Sequence, residues 1–151
     1  MRNNRQQEFL KICRNAGWKC TSQRLAVYDF LADNLNHPDV DTVWTAVRIT
    51  QPAITRESVY RILNEFAAKG IIRRMDHIDS ARYDSRTGAH GHFICEKCGE
   101  ISDFNWPEGA AVPLNEIPGS VAHMEIRLVG VCRKCSARRE DESQKSQAPQ
   151  T

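Results

Sequence analysis

The stretch H-G-H-F-I-C-E-K-C-G, residues 90–99, and the short C-R-K-C at residues 132–135 decide how the second half of this chain folds. Both C-x-x-C pairs stand at the end of a strand-like run, and Gly99 allows a tight turn after the first pair. Zinc binds four thiolates tetrahedrally, and two such pairs supply that arrangement. We therefore predict a structural zinc site with the ligands Cys95, Cys98, Cys132 and Cys135.

Paired cysteines have two other common uses, as disulfides or as a thioredoxin-like redox pair. Disulfides are disfavoured because the chain has the features of a cytoplasmic protein, in which thiols stay reduced. A redox pair is disfavoured because the pairs lack the βαβ pattern in which that motif occurs. A small domain with a thin core also needs a staple, which a structural zinc provides.

Strand-like segments surround the cysteine pairs, at residues 92–95, 100–104 and 121–131. The last of them alternates apolar and polar residues, so one of its faces is predicted to be buried. Residues 105–119 hold three prolines and two glycines, and any helix there must be short. Residues 136–151 are polar and lack aromatic side chains, which predicts disorder.

The first half of the chain carries helix signals instead. Residues 5–16 are amphipathic and Gly17 stops them, while Thr21 and Ser22 are natural N-caps for a second helix. Asp39 or Asp41 can cap a third helix. The apolar residues assigned to this third helix are Val43, Trp44, Val47 and Ile49.

A fourth helix is the most clearly marked. Thr55 is a good N-cap, Ile54 and Val59 form a hydrophobic staple, and Gly70 marks the end. Its apolar stripe, spaced i, i+3, i+4 and i+7, consists of Val59, Ile62, Leu63 and Phe66. Residues 71–84 then predict two strands around a turn near Asp79-Ser80.

The opposite face of this helix is polar and cationic, with the residues Arg56, Ser58, Tyr60, Arg61 and Asn64. Helices followed by a cationic helix and a hairpin are typical of a winged helix-turn-helix, whose recognition helix enters the major groove of double-stranded DNA. Residues 1–89 carry 14 Lys+Arg against 10 Asp+Glu, and residues 90–151 carry 7 against 9, which fits a nucleic-acid surface at one end. The alternative is a small helical bundle whose polar face is simply solvated.

A second cluster has the chemistry of a metal sensor without sulfur. His90 and His92 form an H-x-H on a predicted strand, where both imidazoles can face one side. His37, Asp84 and Asp103 can add a third imidazole and two carboxylates. Such a set suits Fe(II), Mn(II), Zn(II), Co(II) or Ni(II). The four-cysteine site and this cluster are therefore expected to select different metals. Each of these residues could instead be an ordinary turn, loop or surface residue.

The composition excludes several classes of protein. No apolar run approaches the ~18 residues that span a membrane, and the N-terminus lacks the uninterrupted apolar core of a secretory signal. A zinc-dependent hydrolase is disfavoured because the chain has no credible nucleophile–base pair. We therefore predict a cytoplasmic protein that is not an enzyme and does not contact membranes.

Six motifs in a fixed order carry a resemblance to a known family. T-S-Q-R (21–24), N-H-P (36–38), S-V-Y-R-I-L (58–63) and R-Y-D (82–84) precede the two cysteine motifs. Over residues 8–138 they resemble the Fur family of metalloregulators. The resemblance implies an α+β chain with a winged-helix DNA-binding domain at 1–83, a hinge at 84–89, a small α/β dimerisation and metal-binding domain at 90–138, and a disordered tail at 139–151.

The resemblance also implies a homodimer that represses transcription on operator DNA when a regulatory Fe(II) or Mn(II) ion bridges the two domains. The implied ligands are His37, Asp84, His90, His92 and Asp103, and the two aspartates make the set similar to that of the peroxide-responsive branch, PerR. In that branch Fe(II) keeps an open position for peroxide, and a ligand histidine becomes oxidised, while the Mn(II) form does not react. The alternative is an iron- or zinc-responsive Fur-type repressor without peroxide chemistry, because V-Y-R-I-L is closer to iron-sensing members.

Overall fold

A computed structural model describes residues 2–76, 80–107, 114–122 and 124–138 of the chain. The chain divides into two units, Met1–Thr87 and Gly88–Thr151. The predicted disordered tail at 139–151 lies outside the described residues, as does Asp79 of the predicted turn. In the described ranges, no helix combines the length and apolar character needed to cross a membrane.

Four helices occupy most of the first unit. They are α1 (Arg2–Ala16), α2 (Ser22–Ala32), α3 (Val40–Val47) and α4 (Arg56–Ala68). The N-caps of the last three are Thr21, Asp39 and Thr55, whose side chains each accept a hydrogen bond from the backbone N–H three residues later. These caps satisfy amide groups that have no partner inside the helix, so the predicted helix starts are confirmed.

The inner face of α4 lies at the centre of the first unit's core. All four residues of the predicted stripe are buried, and so is Ile54 of the staple. Phe66 meets the ring of Phe9 edge to face at 5.9 Å and stacks on Trp18 at 5.7 Å. Burying one side chain of this kind stabilises a fold by roughly 1.5–3 kcal/mol, so α4 is anchored mainly by its apolar side.

A two-stranded hairpin follows α4. Strands β1 (Arg73–Met75) and β2 (Arg82–Asp84) run antiparallel, with Met75 opposite Arg82. The backbone N–H of the buried Tyr83 donates to the Pro38 carbonyl oxygen at 3.0 Å, which fixes β2 beside the connection between α2 and α3. The order of four helices and a hairpin is that of a winged helix-turn-helix.

The second unit contains a three-stranded sheet of mixed direction. Strands β3 (Gly91–Cys95), β4 (Ile101–Phe104) and β5 (Ile126–Gly130) lie in the order β4-β3-β5. β4 is antiparallel to β3, whereas β5 is parallel to it. A parallel neighbour requires a long crossover, and residues 105–125 supply its length. A 3₁₀ turn at Leu114–Glu116 lies in this crossover, and a short helix α5 (residues 133–138) follows β5.

Three sequence-based expectations are wrong. α3 ends at Val47, and Ile49 lies beyond it with 79% of its surface exposed, because a turn closes the helix there. The strand predicted at 121–131 is confined to Ile126–Gly130, and Leu128 and Val129 are 51% and 57% exposed rather than buried on one face. In the part of the chain that the structure describes, β5 has a neighbour on one edge only, and no described residue covers Leu128 and Val129 fully. Residues 136–138, expected to be disordered, lie in α5.

Any side chain at Gly91 should disturb the sheet, because a Cβ atom built there would overlap the ring of Phe104. Replacing Gly91 by Ala should reduce the free energy of unfolding by about 1–3 kcal/mol, the range for overpacking a well-filled site. Thermal or chemical unfolding of the zinc-loaded protein measures the change.

Gly119→Ala is the matched control, since nothing lies within 4 Å of its built Cβ. Adding Phe104→Leu to Gly91→Ala should restore part of the lost stability. Equal stability of Gly91→Ala and Gly119→Ala would contradict this account of the β3–β4 packing.

Candidate metal centres

Four cysteine sulfurs converge in the second unit. The Sγ atoms of Cys95, Cys98, Cys132 and Cys135 all lie within 4.8 Å of one another, and those of Cys98 and Cys132 are 3.9 Å apart. A tetrahedron of thiolates around zinc at about 2.3 Å has edges of about 3.8 Å, so these sulfurs fit a zinc ion. Among the described residues no disulfide occurs, and all six cysteines are reduced.

The sheet topology brings the two cysteine pairs together. Cys95 is the last residue of β3 and lies opposite Gly130, the last residue of β5, in the parallel register. The N–H of Glu96 donates to the Gly130 carbonyl at 2.8 Å, which ties the two strand ends. Cys132 and Cys135 then stand just before α5 and within its first turn.

A tight turn shapes the first pair. Gly99 has a φ of 71°, and its N–H donates to the Cys95 carbonyl at 2.8 Å, so the chain folds back from Cys98 toward the strand end. The backbone N–H of Cys132 donates to the Cys95 sulfur at 3.3 Å. This bond, with a second from the Cys98 backbone, lowers the pKa of the Cys95 thiol to about 6. Cys95 is therefore readily held as the thiolate that zinc requires.

Three further ligand-type side chains meet in the same unit. The Nε2 atoms of His90 and His92 are 2.9 Å apart, and the Asp103 carboxylate oxygen lies 3.8 Å and 3.7 Å from them. Asp103 reaches this position because it pairs directly with His92 in the antiparallel register of β3 and β4. The two imidazole nitrogens are close enough to bind one metal ion, and the carboxylate beside them can add an oxygen ligand. The His90 Nδ1 atom lies 2.8 Å from the Gly88 carbonyl, which leaves Nε2 as the ligand atom.

The first unit contributes a smaller group of the same chemistry. The His37 Nε2 atom lies 4.0 Å from the Asp84 carboxylate, and both side chains are buried. The backbone hydrogen bond from Tyr83 to Pro38 brings His37 and Asp84 together, because Pro38 follows His37 in the chain and Tyr83 precedes Asp84. His37 has a φ of 50°, and such a conformation in a residue other than glycine costs about 1–3 kcal/mol. Backbone strain of this kind occurs mostly at functional sites.

The exposed face of α4 carries most of the residues predicted to meet DNA. Tyr60 and Arg61 are exposed, and Asn64 is half-buried. Asn64 accepts a hydrogen bond from Arg74 of β1 at 3.4 Å, and its hydrogen bond to the Tyr60 hydroxyl, together with the nearby Arg74, lowers the pKa of Tyr60. Arg74 was not among the residues predicted to meet DNA. The only signal for it in the sequence is its place in a basic predicted strand.

The first turn of α4 is held differently. Arg56 binds the Asp41 carboxylate of α3 through two hydrogen bonds of 2.6 Å and 3.0 Å. Its guanidinium therefore links the first turn of α4 to α3 while remaining about half exposed, at 49%. Ser58 contacts the hydroxyl of the N-cap Thr55 at 3.0 Å, so it belongs to the helix cap. Asp41 is a partner that sequence reasoning treated only as an alternative cap.

Comparisons with known proteins agree with these features. Residues 15–118 match the profile of the Ferric uptake regulator family. The chain is 31% identical over 134 residues to the Peroxide operon regulator of Bacillus subtilis (strain 168), which covers 86% of this chain and 92% of that protein. The chain belongs to the ferric uptake regulator family. Its relatives are transcriptional regulators and not enzymes, so the predicted family and the predicted lack of enzymatic activity are confirmed.

Solved structures support the same fold. The ferric uptake regulator Fur of Helicobacter pylori, whose structure is described as revealing three functional metal binding sites, matches with a TM-score of 0.71 at 20% identity, over 90% of this chain and 94% of that one. The Campylobacter jejuni peroxide stress regulator matches with a TM-score of 0.64 at 26% identity, over 85% and 97%. The predicted α+β class, with a winged helix and a four-cysteine unit, is confirmed.

Removing one zinc ligand should unfold the second unit while leaving the first intact, because the sheet has few buried side chains of its own. We expect Cys98→Ser to lose stoichiometric zinc and the thermal transition of the second unit. Metal analysis and circular dichroism measure both.

Cys20→Ser is the matched control, since Cys20 is also an exposed cysteine but lies outside the cluster. It should keep full zinc and full stability. A Cys98→Ser protein that retains zinc and unfolds like the unmodified chain would refute the four-cysteine site.

Proposed function

We propose that this protein is a metal-dependent transcriptional repressor that senses peroxide through a regulatory iron site. The observation that carries the proposal is that each unit holds its own sulfur-free group of imidazole and carboxylate side chains, while four thiolates form a separate group in the second unit. Thiolates favour zinc, whereas a nitrogen and oxygen set also accepts Fe(II) and Mn(II). One site can therefore hold its zinc permanently while the other responds to metal and oxidant.

The regulatory ion would take ligands from both units. His37 and Asp84 belong to the first unit, and His90, His92 and Asp103 belong to the second. Binding one ion to both groups would select one arrangement of the units, and residues 84–89 would act as the hinge. Loss of any ligand would release that arrangement and lower the affinity for DNA.

The DNA-binding face would be the exposed side of α4. Tyr60, Arg61 and Asn64 present a phenol, a guanidinium and an amide, which suit thymine methyl, guanine and adenine edges in the major groove. Arg56 and Ser58 stand at the first turn, where a phosphate can approach the positive end of the helix. The bond from Arg56 to Asp41 would keep the recognition helix at a fixed angle to α3.

The homodimer would form through the second unit. β5 is an edge strand in the described sheet, and its Leu128 and Val129 are exposed, as are Val121 and Met124 shortly before it in the chain. An exposed apolar edge strand is suited to pairing with another chain. Two copies joined this way would present two α4 helices to successive major grooves of an operator.

Peroxide sensing requires a redox-active ion and a ligand that it can modify. When bound, Fe(II) supplies one-electron chemistry toward peroxide that Mn(II) does not. The chain's own part is to hold the three imidazoles at the ion and to keep the site buried, with His37 and His92 each 2% exposed. His37, His90 or His92 is then the group to be oxidised, and its loss as a ligand would open the hinge. The exposed thiols and the DNA partner both fit a protein of the cytoplasm.

The decisive measurement is operator binding by the Fe(II)-loaded and Mn(II)-loaded protein, each before and after an equimolar dose of hydrogen peroxide. Only the iron form should release DNA, and mass spectrometry should find one added oxygen on a peptide that contains His37 or both His90 and His92. If both forms hold DNA unchanged, the protein responds to metal supply, as an iron- or zinc-responsive repressor of the same family would.

If the four-cysteine site stabilises the fold and the histidine and aspartate site controls DNA binding, a single substitution should separate the two roles. Replacing His37 by Ala should abolish metal-dependent DNA binding, because His37 is the only imidazole that the described first unit offers to the regulatory ion. The zinc content and the dimer should be unchanged. Fluorescence anisotropy with labelled operator, metal analysis and analytical ultracentrifugation measure the three quantities.

Asn36→Ala serves as the control for this variant, since it alters the neighbouring loop residue without removing a ligand. It should retain metal-dependent binding. Dissociation of His37→Ala into monomers, or loss of its zinc, would show that the two sites are not independent and would overturn the proposed arrangement.

A further inference from the structure

Glu65 of α4 binds two arginines at once, one through each of its carboxylate oxygens. Its Oε2 atom accepts a hydrogen bond from Arg24 of α2 at 2.6 Å, and its Oε1 atom accepts one from Arg61 at 3.1 Å. Arg61 lies one turn earlier on α4, at the i,i+4 spacing that brings side chains together on a helix. One carboxylate therefore connects a residue of the exposed face of α4 to the neighbouring helix behind it.

The Arg24 end of this connection is held by several neighbours. The Arg24 guanidinium donates to the Lys19 carbonyl at 2.9 Å and lies 5.2 Å from the centre of the Trp18 ring. Trp18 in turn stacks on Phe66, a fully buried residue of α4. Only 14% of the Arg24 side chain is exposed. Glu65 is thus bound to a guanidinium whose own position is fixed by the core of the first unit.

The Arg61 end is open to solvent. The Arg61 side chain is 61% exposed, against 28% for Glu65. A guanidinium carries five N–H donors in a planar fork, and the bond to Glu65 uses one N–H of Nη1, so other donors of the fork can bind a partner outside the protein. An exposed i,i+4 ion pair adds little to the stability of a helix. The orientation that the contact gives to Arg61 is therefore its more substantial effect.

We propose that Glu65 is a positioning residue for base recognition, which holds Arg61 in the orientation that donates to a guanine of the operator. This inference rests on the proposed function and adds a source of sequence specificity to it. An unrestrained arginine loses side-chain freedom when it binds DNA, and it can equally well contact a phosphate. Arg61 has already lost part of that freedom to Glu65, and the carboxylate repels phosphates nearby. Contact with a base is thereby favoured over contact with the backbone.

The same geometry gives Arg24 an indirect part in base recognition. Its planar fork spans the Lys19 carbonyl and the Glu65 carboxylate through two different nitrogens, Nη1 and Nη2. A lysine would keep the positive charge at this place but not the fork. Glu65 would then lose its fixed partner, and the orientation of Arg61 would be lost with it.

The test selects duplexes from a random-sequence pool with the full-length protein, loaded with zinc and Mn(II). Arg61→Ala should lower the preference at one base pair by about fivefold or more, the lower end of what a bidentate arginine contributes, and so identify the base pair that Arg61 reads. Glu65→Gln should weaken the preference at that same base pair by about threefold or more and leave the other positions unchanged. The reason is that an amide has one acceptor oxygen for two arginines. Arg24→Lys should weaken the same position.

Two comparisons separate positioning from charge and from stability. Glu57→Gln removes the same charge from the exposed first turn of α4 and should leave the base preference intact. In an Arg61→Ala background, Glu65→Gln should have no further effect on affinity or preference, since a residue that acts only through Arg61 then has nothing to act on. Zinc content and the thermal unfolding transition of each variant should match those of the unmodified chain, which shows that the variant is folded.

Three results would overturn the proposal. They are an Arg61→Ala protein that loses no base preference, a Glu65→Gln protein that binds every sequence more weakly by the same factor, and additive effects of the two substitutions, which would mean that Glu65 acts by its own charge. The proposed function is judged separately, by whether the unmodified chain needs Mn(II) to bind DNA. Binding that is indifferent to Mn(II) would contradict that function and still leave the base preferences measurable, whereas a chain that selects no sequence would overturn both.

Discussion

The parallel pairing of β3 with β5 is the constraint on which the second unit depends. It sets Cys95 opposite Gly130 and so brings together cysteines that are far apart in sequence. Among the described residues of this unit few side chains are buried, and β5 exposes Leu128 and Val129. The proposed zinc ion would join the two strand ends and make up for the small core, since its binding free energy would contribute directly to folding. The small sheet is therefore stabilised more by strand pairing and by the proposed metal coordination than by side-chain packing.

The same strand also organises the second group of ligands. β3 begins beside His90, carries His92 across from Asp103, and ends at Cys95. In the first unit, one backbone hydrogen bond from Tyr83 to Pro38 has a comparable role, because it sets Asp84 beside a strained His37. Each half of the proposed regulatory ligand set is thus positioned by backbone pairing within its own unit.

Much of this arrangement was predictable from local patterns. Caps at Thr21 and Thr55, the stripe on α4 and the two C-x-x-C pairs are all signalled within a few residues, and the structure agrees. Pairing register is not local, so neither the partnership of His92 with Asp103 nor the parallel direction of β5 could be derived. The exposed Leu128 misled the strand analysis for a related reason, because alternation indicates a face that needs covering but not which molecule covers it.

The five-residue length of β3 has an evolutionary consequence. Because side chains alternate across a strand, inserting or deleting one residue between His92 and Cys95 would turn one ligand group to the wrong face while the other stayed in place. A change of length in this segment would therefore disrupt one of the two proposed metal sites. Variation in relatives should therefore accumulate as substitutions at Phe93 and Ile94, while changes of length are confined to the crossover between β4 and β5.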